Sequence, residues 1–301
     1  MTSTSLQFVT SPDRPLDKAL LDILRRVDTV ARVLGIEYFV GGALARDLIL
    51  LHVFGKNTGR ATRDVDLGIC VDDWARFDTL RTRLIETGAF SERSGIAHRL
   101  YFRPAQSSHD IPLDLLPFGG VERSDRTIAW PPAMNIVMDV SGFAEAHASA
   151  LRVEVAQGFS VAVSSLPALA VLKLIAWRDR RRETSKDATD FLLIARRYGD
   201  AGNLDRLYED QPALLQATDF DPDLAGAMLL GRDAAELCQE NTAIAVTQIV
   251  SDASLKASLI HQVLQATLST GGDAAISTVE AFIEAFAAGF AAAATTPVAS
   301  R

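Results

Sequence analysis

The chain has 301 residues, 48% of them hydrophobic, with a formal net charge of −8. That apolar fraction supports a packed core and excludes wholesale disorder, and the length suggests about two domains. The acidic balance excludes a protein that coats nucleic acid through bulk charge, though not one with a local basic patch.

Taken in order, residues 1–15 are rich in Ser, Thr and Pro and read as a loose arm. No basic segment leads into an apolar run there, so no secretion signal is expected. Leu16, Leu20, Ile23, Leu24, Val27, Val30 and Leu34 then recur at helical spacing, and Gly35 ends the helix. "IEYFV" reads as a strand that runs into Gly41-Gly42 and a helix, "ALARDLILLHVF". "GKNTGRAT" is a polar loop. In "DVDLGIC" the residues Val65, Leu67 and Ile69 alternate with Asp64, Asp66 and Gly68, the pattern of a strand with one apolar face. Asp72 or Asp73 can cap a helix to about residue 87, with Phe77, Leu80 and Leu84 inward. "HRLYFR" and "IPLDLLPF" are two further strands. Residues 119–150 are irregular apart from a short helix, and "LRVEVAQGFSVAVSS" is a hairpin turning near Gln157-Gly158. From Leu166 onward nearly everything is helical.

Cys70 and Cys238 are the only cysteines, and no Cys/His cluster has zinc spacing, so inert thiols in a reducing compartment are expected. Near the C-terminus, Glu284 interrupts "AFIEAFAAGFAAAA", leaving a run shorter than the ~20 residues a bilayer crossing needs. A cytoplasmic chain without a membrane partner is the expectation.

The acids carry the chemistry. Asp64 and Asp66 share a strand face, and Asp114 lies opposite the apolar face of Ile111, Leu113 and Leu115. If the two strands are neighbours, three carboxylates converge. Clustered carboxylates repel unless a cation joins them, and Mg²⁺ prefers one or two carboxylates plus substrate phosphates. Two such ions about 3.5–4 Å apart serve phosphoryl and nucleotidyl transfer. The bland alternative is a pair of solvated acids on an exposed strand. Gly41-Gly42, at a strand–helix junction, either lets an anion approach the backbone or simply makes a tight turn.

A second signal lies in "LPALAVLKLIAWRDRRRETSKDATDFLLIARRY". Ser165 is a plausible helix cap, with Pro167 in the first turn. Lys173 is the only charge between Ala168 and Trp177, on a stripe with Leu169, Ala170, Ala176 and Trp177. A lysine so placed needs a partner. Asp187 and Asp190, three residues apart on the next helix, are candidates. The group is either an interhelix salt bridge or a phosphate-reaching lysine oriented by an acid. Arg178, Arg180, Arg181, Arg182, Lys186, Arg196 and Arg197 form either a solvated face or an RNA-facing edge. Histidines 52, 98, 109, 147 and 261 show no triad or HExxH spacing.

In this order, strand–Gly-Gly–helix, "RDVDLGI" and a third acid-bearing strand resemble the DNA polymerase β-like nucleotidyltransferase superfamily. "GGALARDL" is similar to the GG…RD element of tRNA nucleotidyltransferases. Lys173, Arg178 or Arg180, Lys186 in place of Arg, Asp187 and Asp190 resemble the K…R…RD-x-x-D region of AbiEii/AbiGii-type nucleotidyltransferases, which include toxins of toxin–antitoxin pairs. The stretch between Gly42 and Asp64 is longer than the superfamily's usual spacing, and its loop, with Lys56, Arg60 and Arg63, is either a triphosphate contact or simply an insertion, the reading favoured here.

The resemblance implies an α+β chain. An N-terminal arm and helix (1–35) precede a small mixed-sheet nucleotidyltransferase domain flanked by helices (36–164), and an all-α domain (165–301) follows. It implies that Asp64, Asp66 and Asp114 bind Mg²⁺ or Mn²⁺ and that Asp64, Asp66, Asp114, Lys173 and Asp187 are catalytic. Gly41, Gly42, Arg46, Lys173 and Asp190 would contact the nucleotide. The implied reaction moves an NMP from an NTP to a hydroxyl of RNA such as tRNA, or of protein, with a cognate antitoxin as a further partner. The rival readings are a non-catalytic binding protein of the same fold and an antibiotic nucleotidyltransferase.

Overall fold

The computed structural model describes residues 7–59, 62–94, 96–104, 109–267 and 273–294. The chain divides into two compact units, Met1–Ser165 and Leu166–Arg301.

The first unit runs β1 (Gln7–Val9), α1 (Lys18–Leu34), β2 (Glu37–Val40) and α2 (Gly42–Asp47), which a π-helical turn over Leu48–Val53 continues. Then follow β3 (Val65–Val71), α3 (Trp74–Glu86), β4 (Phe90–Ser91), β5 (Arg99–Phe102), β6 (Ile111–Gly119), β7 (Thr127–Ala129), β8 (Val137–Asp139), α4 (Phe143–Ala148), β9 (Leu151–Ala156) and β10 (Phe159–Val163).

Local rules explain the helix ends. The Asp17 carboxylate accepts the Ala19 and Leu20 amides to start α1, and Gly35 at φ +62° ends it in the left-handed conformation. The Asp73 side chain accepts the Arg76 amide at the start of α3. Helix α1 buries Leu20, Ile23, Leu24, Val27 and Ala31, a face at helical spacing.

Eight strands form one mixed sheet in the order β1-β9-β10-β2-β3-β6-β5-β4. The N-terminal arm is therefore not wholly loose: Gln7–Val9 pairs in parallel with β9. Residues 1–6 lie outside the described residues. The stretch expected to be mostly irregular holds the antiparallel pair β7–β8 as well as the short helix α4.

The central strands position the acids. β2 is antiparallel to β3, and β3 is parallel to β6. On one sheet face the Phe39 ring lies over Gly68, where an added Cβ would fall 2.2 Å from Phe39 Cε1. Gly68 thus makes room for an edge-to-face cluster: Phe39 meets Phe118 at 5.8 Å and Phe143 at 6.0 Å between ring centroids. This apolar floor occupies the Phe39 face below the acids. On the opposite face Tyr38 donates to Asp28 of α1.

The second unit runs α5 (Leu166–Arg180), α6 (Lys186–Arg197), a π-helical turn over Arg206–Asp210, α7 (Pro212–Ala217), α8 (Pro222–Leu237), α9 (Glu240–Ser251), α10 (Ala253–Thr267) and α11 (Asp273–Ala294). Helices α8 and α11 cross backbone to backbone. A Cβ on Gly231 would lie 2.0 Å from the Phe286 carbonyl oxygen, and one on Gly289 would lie 1.9 Å from that of Met228. Helix α11 buries Val279, Phe282, Ile283, Phe286 and Phe290. By length and composition, Ile276–Ala294 is long and apolar enough to cross a membrane, so Glu284 does not cut the run short as expected. Its buried phenylalanines show it serving as a core helix of this unit.

Candidate active site

The Gly-Gly turn and the acidic strand meet directly. The Gly41 amide donates to the Asp66 carbonyl at 2.8 Å. Gly42 adopts φ +58°, and a Cβ added there would fall 1.8 Å from Asp66 Oδ2. The second glycine is therefore dictated twice, by its backbone conformation and by the carboxylate lying against it. Strand β3 begins at Val65, so Asp64 stands just before it rather than within it. Asp64 and Asp66 are both half-buried.

Asp66 pairs in register with Asp114 across the parallel β3–β6 ladder, so the two acid-bearing strands are neighbours. Asp114 is in turn opposite Arg99 across the antiparallel β5–β6 ladder. Arg99 Nε donates to Asp114 Oδ1 at 2.6 Å and its Nη2 donates to Oδ2 at 2.7 Å. This bidentate pairing pushes the guanidinium further up its already high range. Among the described residues, no group of three or more His, Cys, Asp and Glu side chains is placed to hold a metal ion. Asp114 lies in register beside Asp66, and both its oxygens accept from Arg99. Two half-buried carboxylates at Asp64 and Asp66 still suit a hard cation that takes its other oxygens from phosphate and water.

Arg46 is buried, and its Nε donates to Asp47 Oδ1 at 2.8 Å. The other oxygen of Asp47 accepts from Thr62 Oγ1 at 2.6 Å. This bond ties the residue two places before Asp64 to helix α2. Sequence reasoning gave no role to Thr62 and Arg99, and it read Asp47 only as the last residue of the GG…RD element. Arg60 of the expected loop insertion lies outside the described residues, while Lys56 is half-buried and Arg63 exposed.

In the second unit, Lys173 meets both acids that helical spacing nominated. Its Nζ lies 3.1 Å from Asp187 Oδ1 and 2.8 Å from Asp190 Oδ2. Arg180 Nε donates to Asp187 Oδ2 at 2.7 Å. Burial pushes the Asp187 carboxyl up, but Lys173 and Arg180 outweigh it and hold the group below its ordinary value. Lys173, Asp187 and Asp190 are all buried. Part of the basic cluster is engaged here too: Arg180 on Asp187, Arg197 on Asp200 and Arg196 over the Phe282 ring.

The family model of the nucleotidyl transferase AbiEii toxin, type IV toxin–antitoxin system, matches residues 32–258. The chain belongs to the AbiEii nucleotidyltransferase toxin family. Members are nucleotidyltransferases, and this AbiEii chain is one by that membership. No curated relative matches it. Among solved structures it is similar to the antibiotic-resistance factor ANT(2″)-Ia, at 14% identity and a TM-score of 0.36, over 68% of this chain and 98% of that one. A second structure of that factor, in complex with adenylyl-2″-tobramycin, gives 14% identity and a TM-score of 0.35, over 58% of this chain and 87% of that one. The CCA-adding enzyme of Thermotoga maritima, complexed with tRNA, gives 10% identity and a TM-score of 0.27, over 93% of this chain and 83% of that one. Likenesses this loose say nothing of the substrate of the AbiEii chain.

Proposed function

We propose that this AbiEii-family nucleotidyltransferase moves an NMP from an NTP to a hydroxyl of RNA, such as tRNA, or of protein, as the toxin of a pair with a cognate antitoxin. The observation that carries the reading is the seating of Asp66 against Gly42, which joins the Gly-Gly turn and the acidic strand in one place.

Gly41 and Gly42 present bare backbone, so a triphosphate can approach without meeting a side chain. Asp64 and Asp66 are proposed to hold Mg²⁺, or Mn²⁺ in its place, together with phosphate oxygens. When bound, that ion would neutralise triphosphate charge and lower the pKa of the acceptor hydroxyl. The acceptor oxygen bonds to the α-phosphorus as the α–β bridge breaks, pyrophosphate leaves with the electron pair, and the hydroxyl proton passes to water. The chain's own contribution is positioning and a fixed charge distribution.

Asp114, in register beside Asp66, is proposed as the third carboxylate of the site, and Arg46 as a nucleotide contact. Lys173 is proposed as a phosphate contact, with Asp187 and Asp190 fixing its ammonium as positioning residues.

The test offers purified protein, Mg²⁺ and each of four α-³²P-labelled NTPs to total tRNA and total cell protein. Label on either acceptor that disappears in Asp64→Ala and Asp66→Ala is the expected result. Undiminished transfer in both variants would overturn the reading. NTP-dependent thermal stabilisation in Mg²⁺ reports binding independently of the acceptor.

A further inference from the structure

The hairpin of β7 and β8 is a two-stranded sheet whose two edges differ. Its register sets Ile128 opposite Met138 and Ala129 opposite Val137. The Trp130 amide donates to the Ile136 carbonyl at 3.0 Å, and the Val140 amide donates to the Arg126 carbonyl at 2.9 Å. Bonded and non-bonded pairs alternate along an antiparallel ladder, so the N–H and C=O of Val137 point away from β7. The outer edge of β7 is closed by its own turn. The Arg123 amide donates to the Thr127 carbonyl at 2.8 Å, and the Thr127 amide donates to Asp125 Oδ1 at 3.1 Å. Among the described residues no third strand lies beside β8.

The open edge is also apolar. Met134 is 46% exposed, Ile136 60% and Val137 53%. Successive residues of a strand point to opposite faces, so both faces are bare where β8 begins. No charged residue occurs between Arg126 and Asp139. Strand β8 itself carries none of the lysines, prolines or bulges that usually blunt an edge, which makes it a template for another strand.

We propose that the strand it takes is β8 of a second copy, paired antiparallel about a twofold axis at Val137. A twofold interface sets one patch against itself, so the edge must complement its own sequence. This edge does. Val137 faces its own copy and exchanges two backbone hydrogen bonds with it, while Ile136 faces the second copy's Met138. Asn135 falls opposite the second copy's Asp139, an amide against a carboxylate. Centring the pair on Asp139 instead would oppose two carboxylates, which is unfavourable. A strand pair this short buries less than the roughly 1,200 Å² of a stable interface, so the dimer is weak and concentration-dependent. It needs neither metal nor nucleotide.

Sedimentation velocity of the full chain, from micromolar to sub-millimolar concentration, should show a monomer–dimer equilibrium. Val137→Lys, which opposes two ammoniums at the axis, and Ile136→Lys should each raise the dissociation constant at least about tenfold. Both side chains are exposed, so the thermal midpoint of dilute protein should not move. In a chain carrying Cys70→Ser and Cys238→Ser, Val137→Cys should form a disulfide-linked dimer on mild oxidation, because the Cα atoms of a bonded pair lie about 5.5 Å apart. Val33→Cys, on α1 and 82% exposed, should not. A chain monomeric at every concentration overturns the pairing and leaves the edge to a strand of another protein. A dimer that both lysine variants leave intact, or one in which Val137→Cys links no faster than Val33→Cys, puts the interface elsewhere and overturns it as well.

Discussion

Gly42 and Asp66 share one small volume: a Cβ on Gly42 would lie 1.8 Å from Asp66 Oδ2 and 2.8 Å from Asp66 Cβ. The backbone at Gly42 is also left-handed, at φ +58°, where an L side chain costs about 1–2 kcal/mol. Gly42→Ala must therefore displace the carboxylate or the turn. Transfer should fall by about a hundredfold, as expected for roughly 1 Å of misplacement. Gly41→Ala should lose less, because a Cβ there meets Phe39 Cε2 at 3.6 Å, an ordinary contact. Steady-state rates with labelled NTP distinguish them, and equal losses would sink the steric account.

Thr62 holds the approach to the acids by donating to buried Asp47 at 2.6 Å. Thr62→Val keeps the shape and deletes the donor. Leaving a buried carboxylate oxygen short of a partner should cost about 1–3 kcal/mol. The thermal midpoint should drop, and kcat should fall with it, since Thr62 lies two residues from Asp64. Loss of stability with unchanged kcat would mean the tether does not reach the acids.

Lys173 binds two buried carboxylates, and removing it takes a cation from both. Lys173→Met leaves Arg180 on Asp187 but takes the ammonium from Asp190. Breaking a buried pair from one side should cost about 3–5 kcal/mol. Adding Asp190→Leu should recover part of that loss, because an apolar pair avoids burying a carboxylate deprived of this cation. Urea unfolding measures both, and a double variant no more stable than Lys173→Met would contradict the argument.

Asp187 sets an acid limit. Burial raises its carboxyl, the cations lower it more, and the net position is below the ordinary value of 3.8. A depressed carboxylate contributes stability that is present above the unfolded value and lost as pH falls through the folded one. Wild-type stability should therefore erode in the acid window below that ordinary value. Asp187→Asn should be weaker at neutral pH and flatter across that window. Parallel acid limbs in thermal midpoint against pH would rule out Asp187 as the source.

Helix α11 meets α8 through glycines that leave no space for a methyl group. Gly231→Ala or Gly289→Ala should destabilise the second unit by about 1–3 kcal/mol through overpacking. Because each contact is to backbone carbonyl, at 2.0 and 1.9 Å, side-chain rotation cannot relieve it. A thermal midpoint unchanged by either variant would show that the crossing shifts freely.

Much of the site was legible in the chain itself, for a local reason. Strand alternation, a Gly-Gly break and helical spacing are short-range signals, and they located Asp66 on a strand, Gly42 at a turn, and Asp187 and Asp190 on one face. Helical geometry made those two acids natural partners for Lys173. Tertiary structure decided what lies between distant segments. That Asp114 faces Arg99, that Arg46 turns inward to Asp47, and that Val9 joins β9 all depend on strand register and packing. Register is chosen by which faces bury together over the whole sheet, so no local pattern discloses it. Gly68 shows both limits at once. Alone it is a gap in an alternating strand, and only the Phe39 ring lying across it gives the reason.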